Sequence, residues 1–310
     1  METPQKIHFI AIGGTVMHDL AIALKEAGHS VTGSDENIKD LVATKLLNHN
    51  LIPEKDGWFS EKIDPSMHAV IIGSHVKAEN AELKRALELK LNIYSLPDFI
   101  YRKSVDKQRL VVTGSHGKTM ITSIIIHVLN FHNRKFDYMV NAKVSGSEHL
   151  VRLSNAPLII IEGQEVMASS IDRTPEFLKY QHHIGVISGI EWQKSEDYPT
   201  KDEYTRQFGL FGAATPKGGV LVYFELDHVV AVLSPLNRPD VLLVPYKTHA
   251  SILENGQEFL ITSSKERVPL KITGKHNLQR ISAAQEAVKK IGITSEMFYQ
   301  AIPSFADIGN

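Results

Sequence analysis

The residues with the clearest chemical purpose lie in Val111-Val-Thr-Gly114-Ser115-His116-Gly117-Lys118-Thr119. An apolar run leads into the two glycines, and Lys-Thr opens a stretch with apolar residues at helical spacing. Glycines let backbone N–H groups close around an anion, and a helix N-terminus adds partial positive charge. A lysine at this position reaches the β- and γ-phosphates of a nucleotide, and the following hydroxyl can ligate Mg²⁺. The full G-x-x-x-x-G-K-[ST] pattern is not met, because Val112 stands at its first glycine. The shorter G-x-x-G-K-T remains, and the alternative is a strand–helix turn that happens to carry these residues.

A second glycine turn, Ala11-Ile-Gly13-Gly14-Thr-Val-Met-His18, sits near the N-terminus, with Asp35 twenty-one residues after Gly14. An acidic residue at that distance often meets a ribose hydroxyl in dinucleotide-binding folds. The third glycine of that fingerprint is absent, with Met17 or His18 in its place. The turn therefore suits a nucleotide diphosphate at a helix N-terminus without specifying NAD. Other candidates carry less. The fifteen histidines show no H-E-x-x-H spacing, and neighbours such as His182-His183 point apart on any regular element. Ser188-Gly189 lacks the elbow of a serine hydrolase. Trp58 and Trp192 read as packing residues, and Lys84-Arg85 and Lys289-Lys290 as solvated helix faces.

Both turns need strands and helices to hold them, and the flanking sequence supplies these in alternation. Ile7–Ile12, Ser30–Gly33 and Ala69–Gly73 read as strands, with helices over Met17–Ala27 and Glu79–Lys90. The polar stretch Ser104–Gln108 marks an expected boundary, dividing residues 1–105 from 106–310. Beyond it, Arg109–Thr113 is a strand and Thr119–Phe131 a helix. Further strands are expected at Pro157–Ile161, Ile184–Ile187, Gly219–Tyr223 and Val241–Val244. Glu258–Thr262 and Val268–Ile272 resemble a hairpin, followed by helices near Asn277–Lys290 and Ser295–Ile302 and a loop-like ending at Ser304–Asn310. Such alternation predicts an α/β fold: a Rossmann-like parallel sheet domain, then a P-loop-type α/β domain.

Composition narrows the classes. The 310 residues suit two domains, and 43% hydrophobic with 22% charged residues is the balance of a globular protein with a sizeable core. Lys+Arg of 34 against Asp+Glu of 35 gives a formal charge of −1, which provides no long-range attraction to nucleic acid or an acidic membrane. The absence of cysteine excludes disulfides, thiolate metal sites and cysteine nucleophiles. No signal-peptide pattern or membrane-length apolar run is present, so a cytoplasmic location is expected.

Taken together, IHFIAIGGTVMHDLAIAL with VTGSDE, the loop VVTGSHGKT, and ITGKHNLQRISAA in order resemble the Mur ligases of peptidoglycan synthesis and recycling. The resemblance covers essentially the whole chain. The residues VMH after the glycines and the stretch PEKDGWFSEKI favour the murein peptide ligase branch over the UDP-N-acetylmuramate–L-alanine ligase branch. The resemblance implies ATP and Mg²⁺ as cofactors, and UDP-N-acetylmuramate plus an amino acid or murein tripeptide as substrates. It implies phosphorylation of the lactyl carboxylate to an acyl phosphate, which the incoming amine attacks. Carried over by motif, Gly114 to Thr119 hold the ATP phosphates and His276 and Asn277 lie beside adenine and ribose. Thr119 and Glu162 ligate the metal, and Lys118 and Glu162 are catalytic. Gly13, Gly14, His18 and Asp35 line the UDP-sugar site.

The chain also departs from the family pattern. Where relatives carry E-G-D-E-Y, it reads Glu162-Gly163-Gln164-Glu165-Val166. The expected D-H pair is Gln193-Lys194, whose lysine could oppose phosphate charge directly in place of a metal ion. Met120 replaces a second Thr, and Arg280 stands where the second Asn of G-x-H-N-x-x-N belongs. The resemblance implies a further, amine-binding C-terminal domain that these residues lack, so little ligation is expected of them alone. A non-catalytic nucleotide-binding homologue is the alternative, and an oxidoreductase-like NAD-binding protein is the second.

Overall fold

The computed structural model describes residues 3–144 and 147–306. Four parallel strands form the first sheet, in the order β2-β1-β3-β4: β1 (Lys6–Ile10), β2 (Ser30–Ser34), β3 (Ala69–Ile72) and β4 (Ile93–Ser95). The helices α1 (Met17–Glu26), α2 (Asp40–Asn48), α3 (Ala81–Glu88) and α4 (Leu96–Arg102) connect and follow them. From β1 the chain turns to β2 on one side and to β3 on the other. This reversal opens a crevice at the carboxyl ends of the strands, where ligands bind in sheets of this kind.

The second sheet has seven strands in the order β11-β10-β9-β5-β8-β6-β7. Its members are β5 (Gln108–Thr113), β6 (Asp137–Met139), β7 (Val151–Arg152), β8 (Leu158–Glu162), β9 (Ile184–Ile187), β10 (Val220–Phe224) and β11 (Leu242–Tyr246). All neighbours run parallel except β6 and β7. β5 and β8 are covered on both faces, which explains their unbroken apolar runs Leu110–Val112 and Leu158–Ile161. The helix α5 (Lys118–Phe131) buries Ile121, Ile124, Ile125, Val128 and Leu129 at helical spacing. The remaining helices of this layer are α6 (Glu176–Lys179), α7 (Lys201–Ala213) and α8 (Asp227–Leu233). A three-stranded antiparallel sheet follows: β12 (Ser251–Glu254), β13 (Gln257–Ile261) and β14 (Arg267–Pro269). Then come α9 (Lys275–Lys289) and α10 (Ser295–Ala301).

The sheets agree with the expected α/β architecture, while several elements exceed what apolar spacing predicts. The expected hairpin near residue 258 gains β12 as a third strand. α7 is announced in the sequence by Thr200 and Glu203: the Thr200 hydroxyl accepts from Glu203 N, and the Glu203 carboxylate accepts from Thr200 N, a capping box. α2 keeps Leu41 and Leu47 exposed, so its apolar residues do not mark one buried stripe. Of the loop expected at the end, Ser304 closes a 3-10 turn begun at Ile302, Phe305 and Ala306 have no regular structure, and residues 307–310 lie outside the described residues.

The polar stretch at 104–108 is a firmly held connection between the two sheets. Lys107 is buried, donates to the carbonyls of Ser154 (2.7 Å) and Ala156 (2.8 Å), and pairs with Asp137 at 3.1 Å. Asp19 of α1 makes a second tie. Its buried carboxylate accepts from Leu150 N at 2.7 Å, just before β7, and lies 3.3 Å from Lys45 Nζ and 3.4 Å from His149 Nδ1. Burial pushes the Asp19 carboxyl up, but the Leu150 N–H, the neighbouring His18 and Lys45, and the hydrogen bond with His149 outweigh this and hold it below the usual range.

Candidate functional site

Strand register places the chemistry. Val112 of β5 sits opposite Glu162 of β8, and Thr113 sits opposite Ile187 of β9. Three adjacent parallel strands therefore end together, and the turn from Gly114 to Gly117 rises from the middle one. Gly114 has φ +124°, and a Cβ there would collide with the Ser188 side chain. Gly117, at φ +81°, is the N-cap of α5. Both positions demand glycine for a backbone reason. The turn is fastened to the neighbouring loop: Ser188 Oγ donates to His116 O (2.6 Å), Ser115 N donates to Gly189 O (3.1 Å), and Ser115 Oγ lies 2.8 Å from the Tyr204 hydroxyl. The first N–H groups of α5 have no acceptor within the helix, which leaves an anion-seeking end held in place.

Lys118 and Thr119 point toward β8. The Thr119 hydroxyl donates to Glu162 Oε1 at 2.7 Å, while Glu162 Oε2 accepts from Asn141 N at 3.2 Å. Glu162 is 1% exposed, which excludes a carboxylate standing in solvent at the strand end. Gln164, at the position of an acidic residue in the resembled pattern, donates to Glu162 Oε1 at 3.3 Å. Lys118 Nζ donates to Gly114 O (2.7 Å) and to both oxygens of Glu165 (2.9 Å each). Glu165 in turn raises the carboxyl of Glu176: burial first, then the negative charge of Glu165, push it up to about 8. The hydroxyl of Thr113, at the end of β5, is buried and unpartnered.

Beside the turn lies a cavity of about 750 Å³, lined by Ser115, His116, Glu191, Tyr246, His276 and Arg280 among others. His276 and Asn277 thus sit in the first turn of α9, close to the glycine loop although far from it in sequence. Asn277 donates to Thr273 O (2.9 Å) and accepts from Arg280 Nη1 (2.9 Å). Lys194 is exposed on the loop after β9 and is not among the cavity's lining residues. Thr119 and Glu162 offer two hard oxygens in contact, the donor set that Mg²⁺ completes with phosphate oxygens and water. Among the described residues no group of three His, Asp or Glu is arranged to hold a metal without such help.

Side-chain hydrogen bonds hold the N-terminal turn. Asp35 accepts from Gly13 N (2.8 Å) and Asn37 N (3.1 Å), so its carboxylate secures the turn itself. His18 is 4% exposed: Nδ1 donates to Gly14 O at 2.8 Å, and Nε2 lies 3.4 Å from Lys45 Nζ. Burial above all lowers the basicity of its ring. Gly13 and Gly14 remain at the carboxyl end of β1. His18 instead belongs to the buried cluster around Asp19 that joins the two sheets. The adjacent His182 and His183 diverge: His182 packs on Phe211 with ring centroids 3.9 Å apart, and His183 accepts from Arg109 N.

Comparison with known proteins bears on the family and the fold. Residues 6–103 match the Mur ligase family, catalytic domain. UDP-N-acetylmuramate–L-alanine ligase of Clostridium kluyveri is 31% identical over 97% of this chain and 66% of its own length. The chain belongs to the Mur ligase family. UDP-N-acetylmuramate–L-alanyl-gamma-D-glutamyl-meso-2,6-diaminoheptandioate ligase of Haemophilus influenzae is 24% identical over 97% of this Mur ligase family chain and 68% of its own length. The solved structure of the corresponding diaminopimelate ligase from Neisseria meningitides shares the fold, with a TM-score of 0.88 at 21% identity, over 99% of this chain and 100% of that one. The chain spans about two thirds of the length of the curated relatives it matches. The family match ends at residue 103, ahead of the glycine turn, so the nucleotide-site assignments rest on geometry and on the whole-chain similarity. Among the described residues no helix is long and apolar enough to cross a membrane.

Proposed function

We propose that this chain forms the nucleotide- and UDP-sugar-binding part of an ATP-dependent ligase. The reaction joins the lactyl carboxylate of UDP-N-acetylmuramate to an amino acid or murein peptide. One observation carries the reading: a glycine turn presents Lys118 and Thr119, with Thr119 bonded to buried Glu162, at the joined ends of three strands beside a nucleotide-sized cavity. A carboxylate oxygen attacks the γ-phosphorus, ADP leaves, and the resulting acyl phosphate is opened by the amine with release of phosphate and a proton. For the first step this chain supplies positioning and charge. The helix N-terminus and Lys118 oppose phosphate charge, and Thr119 and Glu162 would hold Mg²⁺, which neutralises phosphoryl oxygens when bound. Gly13 and Gly14 fit the diphosphate of the UDP-sugar at the start of α1. In this reading Asp35 and His18 shape that site from behind. The acceptor is an amino acid or a murein peptide.

Calorimetry with ATP and Mg²⁺ tests the proposal. Wild type binds, Lys118→Ala loses about tenfold or more in affinity, since a bond to a charged group contributes about 1.5–3 kcal/mol, and NAD gives no heat. Tight NAD binding without ATP binding would refute it. The exposed Lys194, where the family pattern has a metal-binding histidine, favours a binding-only homologue as the second reading. Release of ADP that depends on UDP-N-acetylmuramate, from a chain covering the relatives' full length, excludes that alternative.

A further inference from the structure

We propose that Arg280 is a second phosphate-binding cation of this nucleotide site, an inference that rests on the ATP reading above. Three observations converge on it. First, α9 packs along α5 and brings Arg280 over the glycine turn: a Cβ at Gly117 would lie 2.7 Å from Arg280 Nε. The side chain therefore crosses the N-cap of α5, where the unbonded helix N–H groups already favour an anion. Second, Arg280 lines the cavity together with Ser115 and His116 of the same turn. Third, its charge is not neutralised. Nη1 donates to the neutral Asn277 amide at 2.9 Å, and among the described residues no carboxylate pairs with it.

Lys118 presents the opposite case, with both oxygens of Glu165 at 2.9 Å. Before nucleotide arrives, the lysine expected to meet the phosphates is engaged, and the uncompensated cation on the turn is Arg280. A guanidinium keeps its charge when partly buried and offers a planar fork of donors that matches two phosphate oxygens. The Asn277 bond orients that fork, so little side-chain freedom is lost on binding. Arg280 engages the incoming phosphates while Lys118 exchanges Glu165 for the nucleotide.

The test compares wild type with Arg280→Asn, Arg280→Gln and Arg280→Lys, using calorimetry with ATP, ADP and adenosine at two salt concentrations. Thermal melting checks that each variant folds, and Arg280→Lys keeps the charge if the others are too unstable. Arg280→Asn and Arg280→Gln should weaken ATP and ADP about tenfold or more, leave adenosine within twofold, and flatten the salt dependence of ATP binding. Arg280→Lys should recover part of the loss. ATP affinity unchanged in folded Arg280→Asn, alongside a large loss in Lys118→Ala, overturns the inference and leaves the ATP site standing. Equal losses for adenosine and ATP also overturn it, making Arg280 a surface for the base. Wild type that binds no ATP removes both the site and the inference.

Discussion

Glu165 is placed to compete with the nucleotide for Lys118, and Glu165→Gln measures that competition. In the nucleotide-free chain Lys118 Nζ meets both carboxylate oxygens at 2.9 Å, with the two side chains 10% and 16% exposed. Phosphate oxygens must displace this pair. A glutamine keeps the shape and can still accept one Lys118 N–H, so the lysine stays aimed at the turn while the opposing charge disappears. Bonds to charged groups contribute about 1.5–3 kcal/mol and are roughly twice as strong as neutral ones. Removing the charge thus releases about 1–1.5 kcal/mol to the nucleotide, equivalent to ATP binding about five- to tenfold more tightly. The assay is calorimetry in the presence of a chelator, which separates this effect from any contact of Glu165 with a metal. The nucleotide-free variant should unfold at slightly lower denaturant concentration, because a nearly buried lysine loses its counter-ion. The carboxyl of Glu176 should fall from about 8, since the charge of Glu165 is the second cause of its elevation. Metal-free ATP affinity equal to or weaker than wild type, in a folded variant, refutes the competition.

Two further outcomes test the surrounding structure. Glu176 keeps its proton in the folded chain up to about 8 but releases it near 4.5 when unfolded. Its contribution is therefore fully present below 4.5 and lost as pH rises through 8, by on the order of 4 kcal/mol. Glu176→Gln should narrow the difference between urea midpoints at pH 5 and pH 8, and an unchanged difference rules out the assignment. Asp19→Ala strips the buried acceptor from Leu150 N, Lys45 and His149. It should cost about 1.5–3 kcal/mol in urea unfolding, with Asp19→Asn retaining part of the stability. A change under about 0.5 kcal/mol, the range of ordinary surface substitutions, would show that the tie between the sheets carries little.

Much of the site was legible because its residues are contiguous. The run from Val111 to Thr119 contains the strand, the glycine turn and the helix start, and local sterics dictate where glycines fall. The apolar runs of β5, β8 and β9 were readable because parallel strands covered on both faces leave no polar alternation. α7 could have been found from its Thr200–Glu203 capping box. The short β4, β6 and β7 and the half-exposed α2 carry little periodicity, so pattern alone could not find them.

By itself, the sequence determined the α/β class, the two glycine turns, and the residue types able to meet phosphate and Mg²⁺. These follow from local conformational preference and from the periods at which chains bury apolar side chains. Only the tertiary structure decided what each charged side chain faces. Strand register set Thr119 against Glu162, helix packing laid Arg280 over Gly117, and Lys118 found Glu165 across a long stretch of chain. The same folding buried His18 against Gly14 O and set the Asp35 carboxylate on Gly13 N. Electrostatic roles depend on distance and burial in space, and neither can be read from separation along the chain.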